Sequence, residues 1–131
     1  KNVREGGAGV LVVHNCGVGE RNEQIYYDDV VSASAISSVG TRGEIVRMDD
    51  HLQGEDVSFI KMDIEGAERT PLRGAEQLIR HCRPDLAICV YHSISDLFEI
   101  PLYIHSIVPE YRLYLRHHTP VFCETVCYAV I

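Results

Sequence analysis

The chain has 131 residues, of which 46% are hydrophobic, and this length and share suit one soluble domain with a real core. Its 19 acidic residues outnumber its 12 basic ones and give a formal net charge of −7, which argues against non-specific binding to nucleic acid or to an anionic membrane. No apolar run approaches the roughly 18 residues that a membrane-spanning helix needs, so we predict no membrane contact.

The amino-terminal part is predicted to consist of short strands and loops. Gly9–Cys16 is an apolar run that ends in polar residues, which is typical of a buried strand in a mostly parallel sheet. Gly17–Asn22 is predicted to be a turn that leads to a short strand at Gln24–Tyr27. Val31–Gly43 is rich in Ser, Ala and Gly without a clear period, and we predict a surface loop there.

The middle of the chain contains the strongest strand pattern. A short strand is predicted at Glu44–Met48, and Asp49 or Asp50 is expected to cap a single helical turn after it. The apolar run Val57–Ile64 predicts a buried strand that breaks at Glu65 and the glycine after it.

Two helices are predicted in the carboxy-terminal half. Apolar residues recur at i, i+3, i+4 and i+7 across Ala75–Cys82, which indicates one buried helix face, and Pro71 is tolerated only near a helix start. Ser95 or Asp96 is expected to cap the second helix, in which Pro101 predicts an irregularity or a restart.

The remaining strands define the predicted fold class. Leu86–Tyr91 reads as a buried strand, and the closely joined strands Tyr111–Arg116 and Thr125–Ile131 favour an antiparallel hairpin. Strand–helix–strand units before the hairpin imply parallel neighbours. We therefore predict a single α/β domain over residues 1–131, with a mostly parallel sheet finished by a terminal antiparallel hairpin.

An ordered series of segments carries a family resemblance. Ile60–Glu68 reads IKMDIEGAE and is followed by LRGAEQLI, RPDLAICVYH, DLFEIPLYI, YRLYLRHH and ETVCYAVI. In this order the segments resemble the second part of an FkbM-family methyltransferase, over Glu44–Ile131, about two thirds of the chain. The resemblance implies a Rossmann-like class I methyltransferase fold, S-adenosyl-L-methionine (SAM) as cofactor, and O-methylation of a small-molecule or sugar hydroxyl.

The resemblance also implies a cofactor-binding unit that the sequence does not contain. The family places a glycine-rich loop and an acidic ribose-binding residue ahead of the matching region, and such a loop holds a cofactor against backbone N–H groups at a helix start. Here Gly17 and Gly19 are followed by polar residues without a helical pattern. We therefore predict a partial domain that lacks the amino-terminal cofactor-binding strands, with Asn15 and Cys16 as its remaining cofactor contacts.

The predicted catalytic residues follow two neighbouring strands. Asp63 ends the first strand at the carboxyl edge of the sheet, where open α/β sheets bind ligands, and His92 ends the next one. Asp63 would orient an acceptor hydroxyl or act as a base, and His92 would accept its proton. The alternatives are a helix cap for Asp63 and a structural hydrogen bond for His92.

Four further residues are predicted to contact the substrate: Lys61, Glu65, His117 and His118. Lys61 lies in an apolar strand and needs an acidic partner if it is buried, and Asp63 is the obvious one. Glu65 could instead cap the following helix, and Glu68 is expected to pair along its helix or with solvent.

We predict no metal site, because no pair of histidines has the helical i, i+4 spacing of a strong metal motif. The alternative constellation would join Asp63 and His92 to His117, His118 and Glu124.

The five cysteines are odd in number and their spacing fits no common zinc pattern. Free thiols in a reducing, cytoplasmic compartment are the prediction, and a disulfide in an oxidising compartment is the alternative.

Two other functions remain open. A truncated or degenerate domain could serve as a non-catalytic assembly module, because a sheet edge left without its neighbouring strands invites pairing with a second copy. A metal-dependent hydrolase could use Asp63, Glu65 and the histidines.

Overall fold

The computed structural model describes residues 3–6, 9–27, 36–37, 40–121 and 123–131 of the chain. Its strands and helices follow one another as β1 (Val3–Gly6), β2 (Gly9–Val12), β3 (Gly17–Gly19), β4 (Glu23–Tyr27), β5 (Ile36–Ser37), β6 (Thr41–Arg47), α1 (Met48–His51), β7 (Phe59–Met62), α2 (Arg69–Gly74), α3 (Glu76–Cys82), β8 (Asp85–Cys89), α4 (Asp96–Ile107), β9 (Arg112–His117) and β10 (Thr125–Val130).

The main sheet has the strand order β7-β8-β10-β9. Strands β7 and β8 are parallel, with Ile60 opposite Leu86, whereas β10 is antiparallel to both of its neighbours. The predicted terminal antiparallel hairpin of β9 and β10 is confirmed. The prediction of a mostly parallel sheet is not confirmed. Strand β10 lies between β8 and β9 and is antiparallel to both, so among the described strands of this sheet only β7 and β8 form a parallel pair.

A second sheet has the order β3-β6-β4-β5, and β1 pairs with β2 in a separate antiparallel hairpin. In the second sheet β3 runs parallel to β6, while β4 is antiparallel to β6 and β5. The fold of the described chain is therefore mixed α/β with two four-stranded sheets.

One hydrophobic core unites β7, β8 and β10 with all four helices. Strand β8 has the apolar run expected for a strand that is covered on both faces, because Leu86 and Ile88 are fully buried on one face and Ala87 and Cys89 are buried on the other. The predicted apolar face of α3 is confirmed, because Leu78 and Ile79 are buried against this core.

The amino-terminal predictions fail at two places. Strand β2 ends at Val12 and pairs with β1, and its Leu11 and Val12 are exposed, so the prediction of a buried parallel strand at Gly9–Cys16 is wrong. Gly17–Gly19 forms strand β3 instead of a turn. A Cβ at either glycine would lie 2.6 Å from the Ile45 side chain, so the absence of side chains lets β3 lie close to β6.

The predicted loop at Val31–Gly43 lies partly outside the described residues, which omit 28–35 and 38–39. Within the described part it is wrong, because β5 and the first three residues of β6 fall inside it. Strand β4 is confirmed, and a single helical turn is present as α1, but it begins at Met48, which was predicted to end the preceding strand.

The helices differ from prediction in their caps and breaks. Asp49 does not cap α1; its carboxylate accepts hydrogen bonds from the N–H groups of Gln77 (3.2 Å) and Leu78 (2.8 Å) at the start of α3. Pro71 lies in the first turn of α2 as predicted, whereas α4 continues through Pro101 without the predicted restart.

Within the described ranges, no helix has the length and apolar content needed to cross a membrane. None of the five cysteines forms a disulfide, as predicted, and burial raises the pKa of the Cys127 thiol to about 11.

Candidate functional site

The polar residues that follow two parallel strands, β7 and β8, lie at one edge of the main sheet. Asp63 follows β7 directly, and His92 follows β8 by three residues. Because the carboxyl ends of parallel strands lie at the same edge, the two side chains meet, with 3.8 Å between Asp63 Oδ1 and His92 Nε2. The sequence predicted this proximity.

A tight turn after β7 brings a second acidic residue, Glu68, into contact with His92. Glu65 and Gly66 have φ angles of 59° and 92°, which turn the chain back on itself. The Ile64 N–H then donates a 2.9 Å hydrogen bond to Glu68 Oε1, and the Gly66 N–H lies 3.5 Å from the same oxygen. Glu68 is 0% exposed, so the prediction that it pairs along its helix or with solvent is wrong.

The His92 imidazole lies among three carboxylates. Its Nδ1 is 3.4 Å from Glu68 Oε1, and its Nε2 is 3.5 Å from Glu65 Oε2. The His92 side chain is 11% exposed, whereas that of Glu65 is 90% exposed, so Glu68 covers the inner side of the ring and Glu65 the solvent side. Glu65 forms no described hydrogen bond to the helix after it, and the cap alternative for this residue finds no support in the described contacts.

Strand β8 and the segment that follows it supply two further neighbours of Asp63, Cys89 and Tyr91. The Tyr91 hydroxyl donates a 3.2 Å hydrogen bond to Asp63 Oδ1. Partial burial and the Asp63 carboxylate raise the pKa of Tyr91 to about 12, so its hydroxyl remains a donor at neutral pH. Burial, together with Asp63, raises the pKa of the Cys89 thiol to about 11, which keeps it protonated.

Lys61 is not buried, although it lies in an apolar strand. Its side chain is 64% exposed, because β7 turns alternate residues outward and Lys61 shares the outer face with Phe59. The expected acidic partner is present, since Lys61 Nζ lies 3.9 Å from Asp63 Oδ2. At this distance and exposure the pair contributes little to stability.

An ion pair between a partly exposed arginine and a buried aspartate joins the two segments that carry the cluster. Arg69, the first residue of α2, donates from Nε to Asp96 Oδ1 at 2.7 Å, and Asp96 is the first residue of α4. The same guanidinium contacts Ser95 Oγ and Glu99. Because Glu68 precedes α2 and His92 precedes α4, this pair holds the carboxylate and the imidazole at a fixed separation.

Four predicted site residues lie outside the cluster. His117 Nδ1 is 2.8 Å from Thr125 Oγ1, and His118 Nε2 is 3.1 Å from the Tyr128 hydroxyl, so both histidines hold the hairpin of β9 and β10. Asn15 and Cys16 lie between β2 and β3 and do not end a strand of the main sheet.

Glu68 is the residue that sequence reasoning misplaced. The signal was available in the spacing, because a carboxylate four residues after Ile64 can accept that residue's N–H if the intervening Glu-Gly turns back. Among the described residues, the group whose side chains could together hold a metal ion is Asp63, Glu68 and His92, with donor atoms within 4.8 Å of one another. The predicted alternative with His117, His118 and Glu124 is not assembled in the described part of the chain.

Fold and cluster together define an α/β domain with carboxylates and an imidazole at the carboxyl edge of parallel strands, the position at which enzymes of this class bind ligands. The family model described as methyltransferase FkbM domain matches residues 14–119. The chain belongs to the FkbM methyltransferase domain family.

Among solved structures, the chain is similar to methyltransferase FkbM from Methylobacillus flagellatus KT, with 37% sequence identity and a TM-score of 0.72. The similarity covers 90% of this chain and 28% of that one, so the chain spans less than a third of the related protein. None of the curated proteins matches significantly. No finding supports the metal-dependent hydrolase alternative.

Proposed function

We propose that this domain supplies the acceptor side of a SAM-dependent methyltransferase that acts, as part of a longer protein, on a hydroxyl group of a small molecule or sugar. The observation that carries the proposal is the contact of His92 with Asp63 and Glu68 at the carboxyl edge of β7 and β8, in a member of a methyltransferase family. The cytoplasm is the proposed location.

In this proposal His92 accepts the proton of the acceptor hydroxyl through Nε2. Glu68 is buried beside Nδ1 and orients the ring, as a carboxylate does in many catalytic imidazole pairs. Asp63, fixed by the Tyr91 hydroxyl, positions the hydroxyl group next to Nε2. Proton removal and alignment are the tasks left to the protein, because the methyl group of SAM is already activated.

The described residues do not form a site that fits SAM. A glycine-rich turn at a helix start would be expected, but Gly17 and Gly19 lie in strand β3, which is followed by a turn and strand β4. Asn15 and Cys16 remain the proposed contacts of this chain with the cofactor. We therefore expect weak or no SAM binding by the chain alone, and micromolar binding in calorimetry would contradict this division of the site.

The catalytic role of His92 is tested by His92→Asn and Asp63→Asn in the longer protein. Loss of a general base reduces methyl transfer by about 10²–10⁴-fold, and we expect the larger loss for His92→Asn. His105 is exposed on α4 and provides the matched control, because His105→Asn removes an imidazole outside the cluster. Equal rates for the His92 and His105 variants would refute the proposal.

The proposed acceptor contacts are tested separately through the Michaelis constant. Lys61, Glu65, His117 and His118 were predicted to contact the substrate, and the first two border the cluster. We expect Lys61→Met and Glu65→Gln to raise KM with little change in kcat. Variants of His117 and His118 should raise KM only if the acceptor reaches the β9–β10 hairpin. A fall in kcat without a change in KM would place Lys61 or Glu65 in the chemical step instead.

A second candidate, assembly through the β7 edge, is favoured by one observation. Among the described strands β7 pairs with β8 alone, and Phe59 on β7 is 57% exposed. A second copy of the chain could pair along this edge. We expect sedimentation to show a dimer that Phe59→Lys dissociates, and a monomer at all concentrations would refute this candidate.

A further inference from the structure

We propose that Asp63, Glu68 and His92 form a binding site for a first-row divalent transition-metal ion. Each of the three side chains offers one ligand atom, and these atoms lie within 4.8 Å of one another. Donor atoms that share one Zn²⁺ at about 2.0–2.2 Å stand roughly 3.4 Å apart in tetrahedral geometry, so small side-chain rotations suffice to close the site.

The buried Glu68 carboxylate is the independent observation that points to a ligand. Its Oε1 accepts backbone N–H groups, but its Oε2 is buried and has no hydrogen-bond partner among the described residues. Neither nitrogen of His92 has a hydrogen-bond partner there either. A buried carboxylate oxygen without a partner is costly, and a bound cation removes that cost.

The cluster carries an excess of negative charge, which also favours a bound cation. Three carboxylates surround His92, while the nearby Lys61 is exposed and 3.9 Å from Asp63. Arg69, next in sequence to Glu68, directs its guanidinium to Asp96 on α4 and does not neutralise the cluster. A divalent ion supplies the missing positive charge.

The ligand set selects the kind of metal. Two carboxylates with one imidazole suit Zn²⁺ or Mn²⁺, because an imidazole nitrogen is a poor ligand for Mg²⁺ and Ca²⁺. Three protein ligands leave at least one position for an oxygen from solvent or substrate, which is the arrangement of catalytic rather than structural metal sites.

The ion would deepen the proposed function, on which this part alone rests. Asp63, Glu68 and His92 would hold the ion, which would polarise an acceptor hydroxyl, and in the ion-bound form this would replace proton acceptance by His92. Binding of the ion itself does not depend on methyl transfer. If the unmodified longer protein binds the ion but transfers no methyl group to any hydroxyl acceptor, the proposed function alone fails. If it transfers the methyl group but binds no ion, the metal site alone fails.

Calorimetry of this chain with ZnCl₂, MnCl₂ and MgCl₂ tests the site. Surface histidines compete, since His14 Nδ1 and His51 Nε2 are 2.9 Å apart, so the measurements use His51→Gln as the reference protein. We expect one equivalent of Zn²⁺ or Mn²⁺ to bind, with weaker binding of Mg²⁺. In this background Asp63→Asn and His92→Asn should each weaken Zn²⁺ binding by at least about 100-fold.

Control variants separate ligand loss from misfolding. Glu110 is an exposed carboxylate far along the chain, and Glu110→Gln should leave Zn²⁺ affinity unchanged. Glu68→Gln keeps the acceptor for the Ile64 N–H, and circular dichroism of this variant checks that a loss of binding is not a loss of fold. Absence of saturable Zn²⁺ and Mn²⁺ binding by the folded reference protein, or binding unchanged in Asp63→Asn and His92→Asn, would overturn the proposal.

Discussion

Replacement of Arg69 by Met should destabilise the domain more than any exposed ion pair can explain. The Asp96 side chain is 3% exposed, its Oδ1 accepts a 2.7 Å hydrogen bond from Arg69 Nε, and the same oxygen lies 2.7 Å from Arg69 Nη2. Removal of one partner of a buried pair leaves an uncompensated charge and costs about 3–5 kcal/mol. Because Arg69 itself is one-third exposed and water can reach the vacated space, we expect about 2–3 kcal/mol for Arg69→Met.

The assay is urea unfolding followed by circular dichroism, with Arg83→Met as the matched control. Arg83 is 3.0 Å from Glu110, both side chains are about half exposed, and loss of that pair should cost at most about 1 kcal/mol. A double-mutant cycle that adds Asp96→Asn should give a coupling energy of about 1–3 kcal/mol. Equal losses for the Arg69 and Arg83 variants, or a coupling energy near zero, would refute the reasoning.

Two further predictions concern close packing and alkaline stability. A Cβ on Gly74 would lie 1.9 Å from the Gly19 carbonyl oxygen, so Gly74→Ala should lower the free energy of unfolding by about 3 kcal/mol. A Cβ on Gly54 would meet no atom, so Gly54→Ala should cost only about 1–2 kcal/mol, because its φ is positive. Equal unfolding midpoints for the two variants would contradict this prediction. Burial raises the pKa of Tyr111 to about 12 and that of Cys127 to about 11, so their contribution to stability is complete below the ordinary values and is lost as the pH rises through the raised ones. The free energy of unfolding should therefore fall above about pH 9, and Tyr111→Phe should reduce the slope near pH 12.

The sequence predicted the carboxy-terminal fold well because its signals are local. The apolar run of β8, the helical period of α3 and the short connection between β9 and β10 each depend on neighbouring residues. The hairpin was predicted correctly, but the insertion of β10 between β8 and β9 was not, since strand order depends on pairing across the chain. For this reason the predicted mostly parallel sheet is not confirmed.

The amino-terminal predictions failed where pairing is distant in sequence. Gly17–Gly19 is three residues long and has no hydrophobic period, yet it pairs with Ile45–Arg47 across the intervening chain. Composition alone therefore favoured a turn. Leu11 and Val12 of β2 lie in a two-stranded hairpin and are exposed, so their hydrophobicity predicted a burial that the hairpin does not provide.

The site shows the same division between local and distant information. Alternation and strand ends placed Asp63 and His92 at one edge, because parallel strands align their carboxyl ends. The burial of Glu68 depends instead on two consecutive positive φ angles, which only the folded turn reveals. At Gly66 this turn also runs against His92, since a Cβ there would lie 3.3 Å from the His92 Cβ. Gly66 thus permits both the turn that buries Glu68 and the close approach of the imidazole that Glu68 faces.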